Sequence, residues 1–179
     1  MFLDHRHLEK IEQKADELLE SLGIHSPPVP IGEILDKLGI TTVRYDLGAE
    51  LSGILVVQGD KGTIGYNPTD SRTRQRFTLA HELGHFLLHK HLGSEVFIDR
   101  DFIVKYRSQK TYSSLELKQE QQANIFAAAL LMPKRMLQNE FEKETYKDLA
   151  EAEFIAAIAR AFNVSIQAMT YRIANSNLI

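Results

Sequence analysis

Residues 77–88 read Phe-Thr-Leu-Ala-His-Glu-Leu-Gly-His-Phe-Leu-Leu, and this stretch limits the fold more than any other. Phe77, Leu79, Ala80, Leu83, Phe86, Leu87 and Leu88 surround a helix with apolar side chains, so the helix has to be largely buried. His81, Glu82 and His85 go into the interior with it, and buried charged or imidazole groups are costly without partners. A metal ion would supply them. Four-residue spacing puts His81 and His85 on one helical face, one turn apart. Glu82 follows His81, so it projects beside an ion held by the two rings and can take a proton from an activated water.

The remaining chemistry is narrowed by composition. With no cysteine, disulfides, thiolate nucleophiles and sulfur-held zinc are excluded, and any transition metal must rest on His, Asp and Glu. A net charge of −3 gives no general affinity for nucleic acid or an anionic membrane. The opening MFLDHRHLEKIEQ lacks the apolar centre of a signal peptide, and no later run is long enough to span a bilayer. A cytoplasmic protein is expected.

Elsewhere the pattern alternates between helical and strand signals. Leu8, Ile11, Ala15, Leu18, Leu19 and Leu22 recur at helical spacing and stop at Gly23. Pro27, Pro28 and Pro30 force an extended segment. Ile31, Ile34, Leu35 and Leu38 predict a short helix ending at Gly39, and residues 40–45 a strand. Residues 51–57 and 63–66 flank a Gly-Asp-Lys-Gly turn and predict a hairpin. Further helices are expected over 71–91, 114–132, 146–162 and 165–174, with one more opened by Pro133; residues 94–113 have no clear pattern. The expected architecture is α+β, mainly helical with a small antiparallel sheet. We expect a single domain over 1–179: an N-terminal helix and Pro-rich segment (1–30), a core (31–135) and a C-terminal helical part (136–179).

A catalytic metal site has three protein ligands. His89 continues the series, but its ring lies roughly 12 Å along the axis from His81 and cannot share an ion on a continuous helix; a histidine suited to a helix C-terminus is the reading it receives. His91 matches a metzincin spacing, although Leu88 stands where that pattern has Gly and no Met-turn follows. Glu116 and Glu120 both lie on the helix SLELKQEQQANIFAAALLM, and spacing alone does not choose between them. Glu120 is the better placed, because Asn124 shares its face one turn on and can accept the free ring N–H of a ligating histidine.

The segment from Arg74 to His89 resembles the core of the ImmA/IrrE family of metallopeptidases, as does the segment from Glu120 to Pro133. Pro27-Pro28-Val29, Ser52-Gly53, Asn67, the run from Phe162 to Ser165, and Arg172 add shorter matches. The resemblance implies a zincin-like peptidase domain in which His81, His85 and Glu120 hold the metal and Glu82 is the general base. Asn124 stands where related gluzincins often carry Asp, so the acceptor for the His81 ring is neutral. Zinc is the implied metal, with manganese as an alternative. The implied substrate is a helix-turn-helix repressor, cut to release a mobile element or a stress response. Some relatives carry a DNA-binding domain in front, for which no room is expected here.

Hydrolysis also needs a donor for the developing oxyanion. Tyr66, Tyr106, Tyr112, His91 and Arg172 are candidates, and an edge strand of the hairpin could receive the substrate by strand addition. Two other readings compete. Residues 158–166 read like the turn of a helix-turn-helix capped by Ser165, which suits a DNA-binding regulator, yet Arg172 is the only base in the following helix. A metal-binding scaffold without catalysis is the other, and Glu82 argues against it, since metal binding alone does not need that acid.

Overall fold

The computed structural model describes residues 5–48, 51–90, 96–100 and 114–176, with 96–100 described by backbone pairing alone. The elements run α1 (His5–Ser21), α2 (Ile31–Lys37), β1 (Thr41–Arg44), β2 (Leu51–Gln58), β3 (Lys61–Tyr66), α3 (Arg72–His89), β4 (Val96–Arg100), α4 (Ser114–Leu131), α5 (Lys134–Phe141), a 3-10 turn (Glu144–Tyr146), α6 (Glu151–Phe162) and α7 (Ile166–Ser176). The α+β, mainly helical class is as expected. Among the described residues, no helix is long and apolar enough to cross a membrane.

The sheet has the order β1-β3-β2-β4 and is mixed rather than antiparallel. β2 is antiparallel to β3 and β4, while β1 is parallel to β3. The two-residue loop Gly59-Asp60 closes β2 onto β3, with Gly59 at φ 61 as a tight hairpin requires. β4 takes the other side of β2, so β1 can join only the outer edge of β3. The hairpin strands are therefore both interior, and among the described strands the sheet edges are β1 and β4. Strand addition to the hairpin itself is ruled out by this pairing.

One face of the β2–β3 hairpin packs on α3. A bulge at Ser52 shifts the register between Leu51 and Gly53; from there the strand alternates and puts Gly53, Leu55 and Val57 on the buried side. Ser71 caps α3 by accepting from the Arg74 N–H at 3.3 Å. The other side of α3 packs on α4, whose Ala123, Phe126, Ala127 and Leu130 are fully buried. α1 buries Ile11, Ala15 and Leu19, one residue per turn, in the same core.

The C-terminal helices close onto this core through Ile158, Phe162 and Met169. Arg76 of α3 pins them: its guanidinium donates to the Asn163 carbonyl at 3.1 Å and the Val29 carbonyl at 2.8 Å. Asn163 adopts φ 52 to end α6, and the Ser165 hydroxyl accepts from the Ala168 N–H at 3.1 Å to start α7. This is the turn read from residues 158–166. α6 begins at Glu151 rather than near Tyr146, because Tyr146 instead turns back to donate its hydroxyl to Glu140 at 2.7 Å. That bond, with burial, pushes the Tyr146 pKa up.

Candidate metal centre

α3 presents two working faces. Thr78, Glu82 and Phe86 lie one turn apart and meet the sheet, while His81, Gly84, His85 and His89 are directed towards α4. A β-carbon on Gly84 would stand 3.1 Å from Ala123 Cα, so the glycine allows the α3 and α4 backbones into close approach. Gly53 does the same on the sheet side: a β-carbon there would run into Thr78 Cγ2 and lie 2.8 Å from Glu82 Oε1.

That approach brings Glu120, from the exposed end of α4, over the histidine pair. His81 Nε2 and His85 Nε2 are 3.0 Å apart. The Glu120 carboxylate lies 3.6 Å from the first and 3.4 Å from the second. Donors held about 2.0–2.2 Å from one tetrahedral ion are separated by roughly 3.3–3.6 Å; the two carboxylate distances match this, and the histidine pair, at 3.0 Å, is slightly closer. Among the described residues, these three form the group of acids and histidines able to do so. Two imidazoles and one carboxylate are a donor set that fits a divalent transition metal and leaves further positions open for water or substrate. Both rings are almost fully buried, whereas the Glu120 side chain keeps 21% of its exposure and marks the open side.

The Glu82 side chain is fully buried between α3 and Gly53, next in sequence to His81. Asn124 Oδ1 lies 3.0 Å from His81 Nδ1. An amide oxygen can only accept, so Nδ1 carries the proton and the Nε2 lone pair faces His85 and Glu120. Glu116 is exposed one turn before Glu120 and is not in the group, which separates the two acids that spacing left open. His91, Tyr106 and Tyr112 lie outside the described residues.

His89 is the last residue of α3, at the helix C-terminus as expected. It is also buried, with Nδ1 3.1 Å from His85 Nδ1 and Nε2 2.9 Å from Gln122 Oε1. Burial lowers its pKa, and the neighbouring His85 adds to this, against the raising effect of Gln122. The signal for it was present in the sequence: His81, His85 and His89 form a four-residue series, which makes His89 a neighbour of His85 even though it cannot reach the same ion. Gln122 carried no comparable signal among the glutamines around it.

Of the oxyanion candidates, Arg172 is committed elsewhere. Its side chain is buried, donates to the Met132 carbonyl at 3.0 Å and pairs with Glu12. The same contacts remove the only base of α7 from any DNA phosphate, which disfavours the regulator reading. Tyr66 pairs across the sheet from Gly53, and its hydroxyl accepts from Arg44 Nε at 3.0 Å.

Comparison with known proteins follows the same lines. Residues 35–174 match the family model of the IrrE N-terminal-like domain. Metallopeptidase ImmA of Bacillus subtilis (strain 168) is 30% identical over 129 residues, which cover 71% of this chain and 66% of that protein. A solved structure of a Mycobacterium tuberculosis transcriptional regulator shares the fold, with a TM-score of 0.63 over 94% of this chain and 47% of its own, at 17% identity. The chain thus spans just under two thirds of the curated relative and about half of the solved one. The family match over most of the chain, together with the ImmA relationship, establishes that this chain belongs to the ImmA/IrrE family of metallopeptidases.

Proposed function

We propose that the chain, as one peptidase domain, is a zinc-dependent endopeptidase, with manganese as the alternative metal. The observation that carries the reading is the convergence of His81 Nε2, His85 Nε2 and the Glu120 carboxylate beside a buried Glu82. His81, His85 and Glu120 would hold the ion, with Asn124 orienting the His81 ring. When bound, the ion supplies Lewis acidity, polarising the scissile carbonyl and acidifying the attacking water. Glu82 takes the proton from that water as it attacks and then delivers it to the leaving amine. Burial of Glu82 against Gly53 holds the carboxylate in place for both transfers.

The substrate we propose is a cytoplasmic helix-turn-helix repressor, cut once in an exposed segment outside its DNA-reading helix. Family resemblance supports this, and so does the enclosure of the site. A centre set between a sheet and two packed helices can act only on an extended chain, which folded proteins offer in linkers and locally unfolded segments. Purified protein loaded with zinc or manganese should nick a repressor encoded beside it and leave casein largely intact. Rapid indiscriminate casein degradation would refute the repressor reading while leaving the peptidase reading in place.

A further inference from the structure

His89 and Gln122 have no part in the reading above, yet their hydrogen bonds lead directly to a proposed ligand. Gln122 Oε1, 2.9 Å from His89 Nε2, is a carbonyl oxygen and can only accept. His89 Nε2 therefore carries a proton. In a neutral ring Nδ1 is then bare, and it faces His85 Nδ1 at 3.1 Å, so the proton between them belongs to His85. With Nδ1 protonated, neutral His85 has a bare Nε2, which is the atom that faces His81 Nε2 at 3.0 Å and Glu120 Oε1 at 3.4 Å.

We propose that His89 and Gln122 are positioning residues that select the metal-ready tautomer of His85 and lock its ring. The proposal rests on the metallopeptidase reading. Asn124 performs the corresponding task for His81, so α4 provides the third ligand and an amide acceptor for each histidine within five residues, 120–124. The His85 acceptor is relayed through an imidazole because Gln122 contacts the next turn of α3, where His89 stands. Reversing the proton chain would place a proton on His85 Nε2, pointing at His81, and the ring could not ligate until it turned over.

Outer partners of this kind are typically worth about 10–100-fold in metal affinity. The test measures zinc affinity by chelator competition in the full chain, with metal-free melting curves to confirm folding. His89→Leu removes the acceptor at similar bulk and should weaken zinc binding by about 10–100-fold. His89→Asn puts an amide oxygen where Nδ1 sits and should recover most of the loss, which a purely space-filling role would not produce. Nitrogen-15 NMR of the zinc-loaded wild type should show His89 protonated on Nε2 and His85 on Nδ1, a readout independent of how the variants fold. Affinity unchanged in His89→Leu, or His89 protonated on Nδ1, overturns the inference alone. A wild type that takes up no metal overturns the metallopeptidase reading and this inference with it.

Discussion

Gly84 and Ala123 set the distance between the two helices that bear the site: a β-carbon on Gly84 would stand 3.1 Å from Ala123 Cα and 3.2 Å from its carbonyl oxygen. Both are backbone atoms and cannot swing aside. Gly84→Val should therefore push α4 outward and carry Glu120 away from the histidines. Overpacking predicts a stability loss of about 2–3 kcal/mol, read by denaturant unfolding of the metal-free protein, together with weaker zinc binding. A variant of wild-type stability and affinity would show that the close approach does not set the site.

On the sheet side the predicted effect is on chemistry rather than on metal. A β-carbon at Gly53 would meet Thr78 Cγ2 and Glu82 Oε1. Gly53→Ala should displace the Glu82 carboxylate and lower cleavage at least about tenfold, since small misplacements of a proton-transfer group are costly. Zinc content should stay near that of the wild type. Adding Thr78→Ser removes the closer clash and should restore part of the activity; no recovery would mean that Gly53 acts through the strand rather than through space.

How far the sequence alone reaches depends on whether a feature is local. The metal helix is legible because His81, Glu82 and His85 and their apolar flanks all lie within one helical repeat, and Asn124 is legible as the acceptor because it follows Glu120 by one turn. Spacing alone does not separate Glu120 from Glu116; Asn124 and the family resemblance favour Glu120, and the approach of Gly84 to Ala123 is what brings that turn of α4 to α3. The parallel seat of β1 depends on β4 occupying the far side of β2, a pairing that no local pattern records. The His89–Gln122 contact joins two helices in the same way, so periodicity reveals one partner and not the other.

The acids of α4 separate by chelation. Glu120→Ala should lose zinc to moderate chelator strength, because two histidines alone hold it poorly. Glu116→Ala should keep it, its side chain being exposed and outside the ligand group. Zinc retained by the Glu120 variant and lost by a His91→Ala variant would move the third ligand to His91.

Glu12 gives a pH prediction for the fold. Burial raises its pKa, but hydrogen bonds from Lys134 and Arg172 outweigh this together, and the net shift is below the ordinary value of 4.5. A depressed folded-state pKa means stability that is fully present above about pH 4.5 and lost as the pH falls through the lower folded value. Glu12→Gln should cost about 1–3 kcal/mol at neutral pH, with the gap from wild type closing in acid. A gap that is constant from pH 7 to pH 3 would mean that the carboxylate charge is not what links α1 to α7.

The most direct measurement pairs metal content with cleavage in Glu82→Gln. The change keeps the shape of a fully buried side chain and removes its ability to accept a proton. Zinc should remain near one ion per chain, held by His81, His85 and Glu120, while cleavage of a protein that the wild type cuts falls at least about a hundredfold. Full cleavage by the Gln variant with its metal in place would contradict the account.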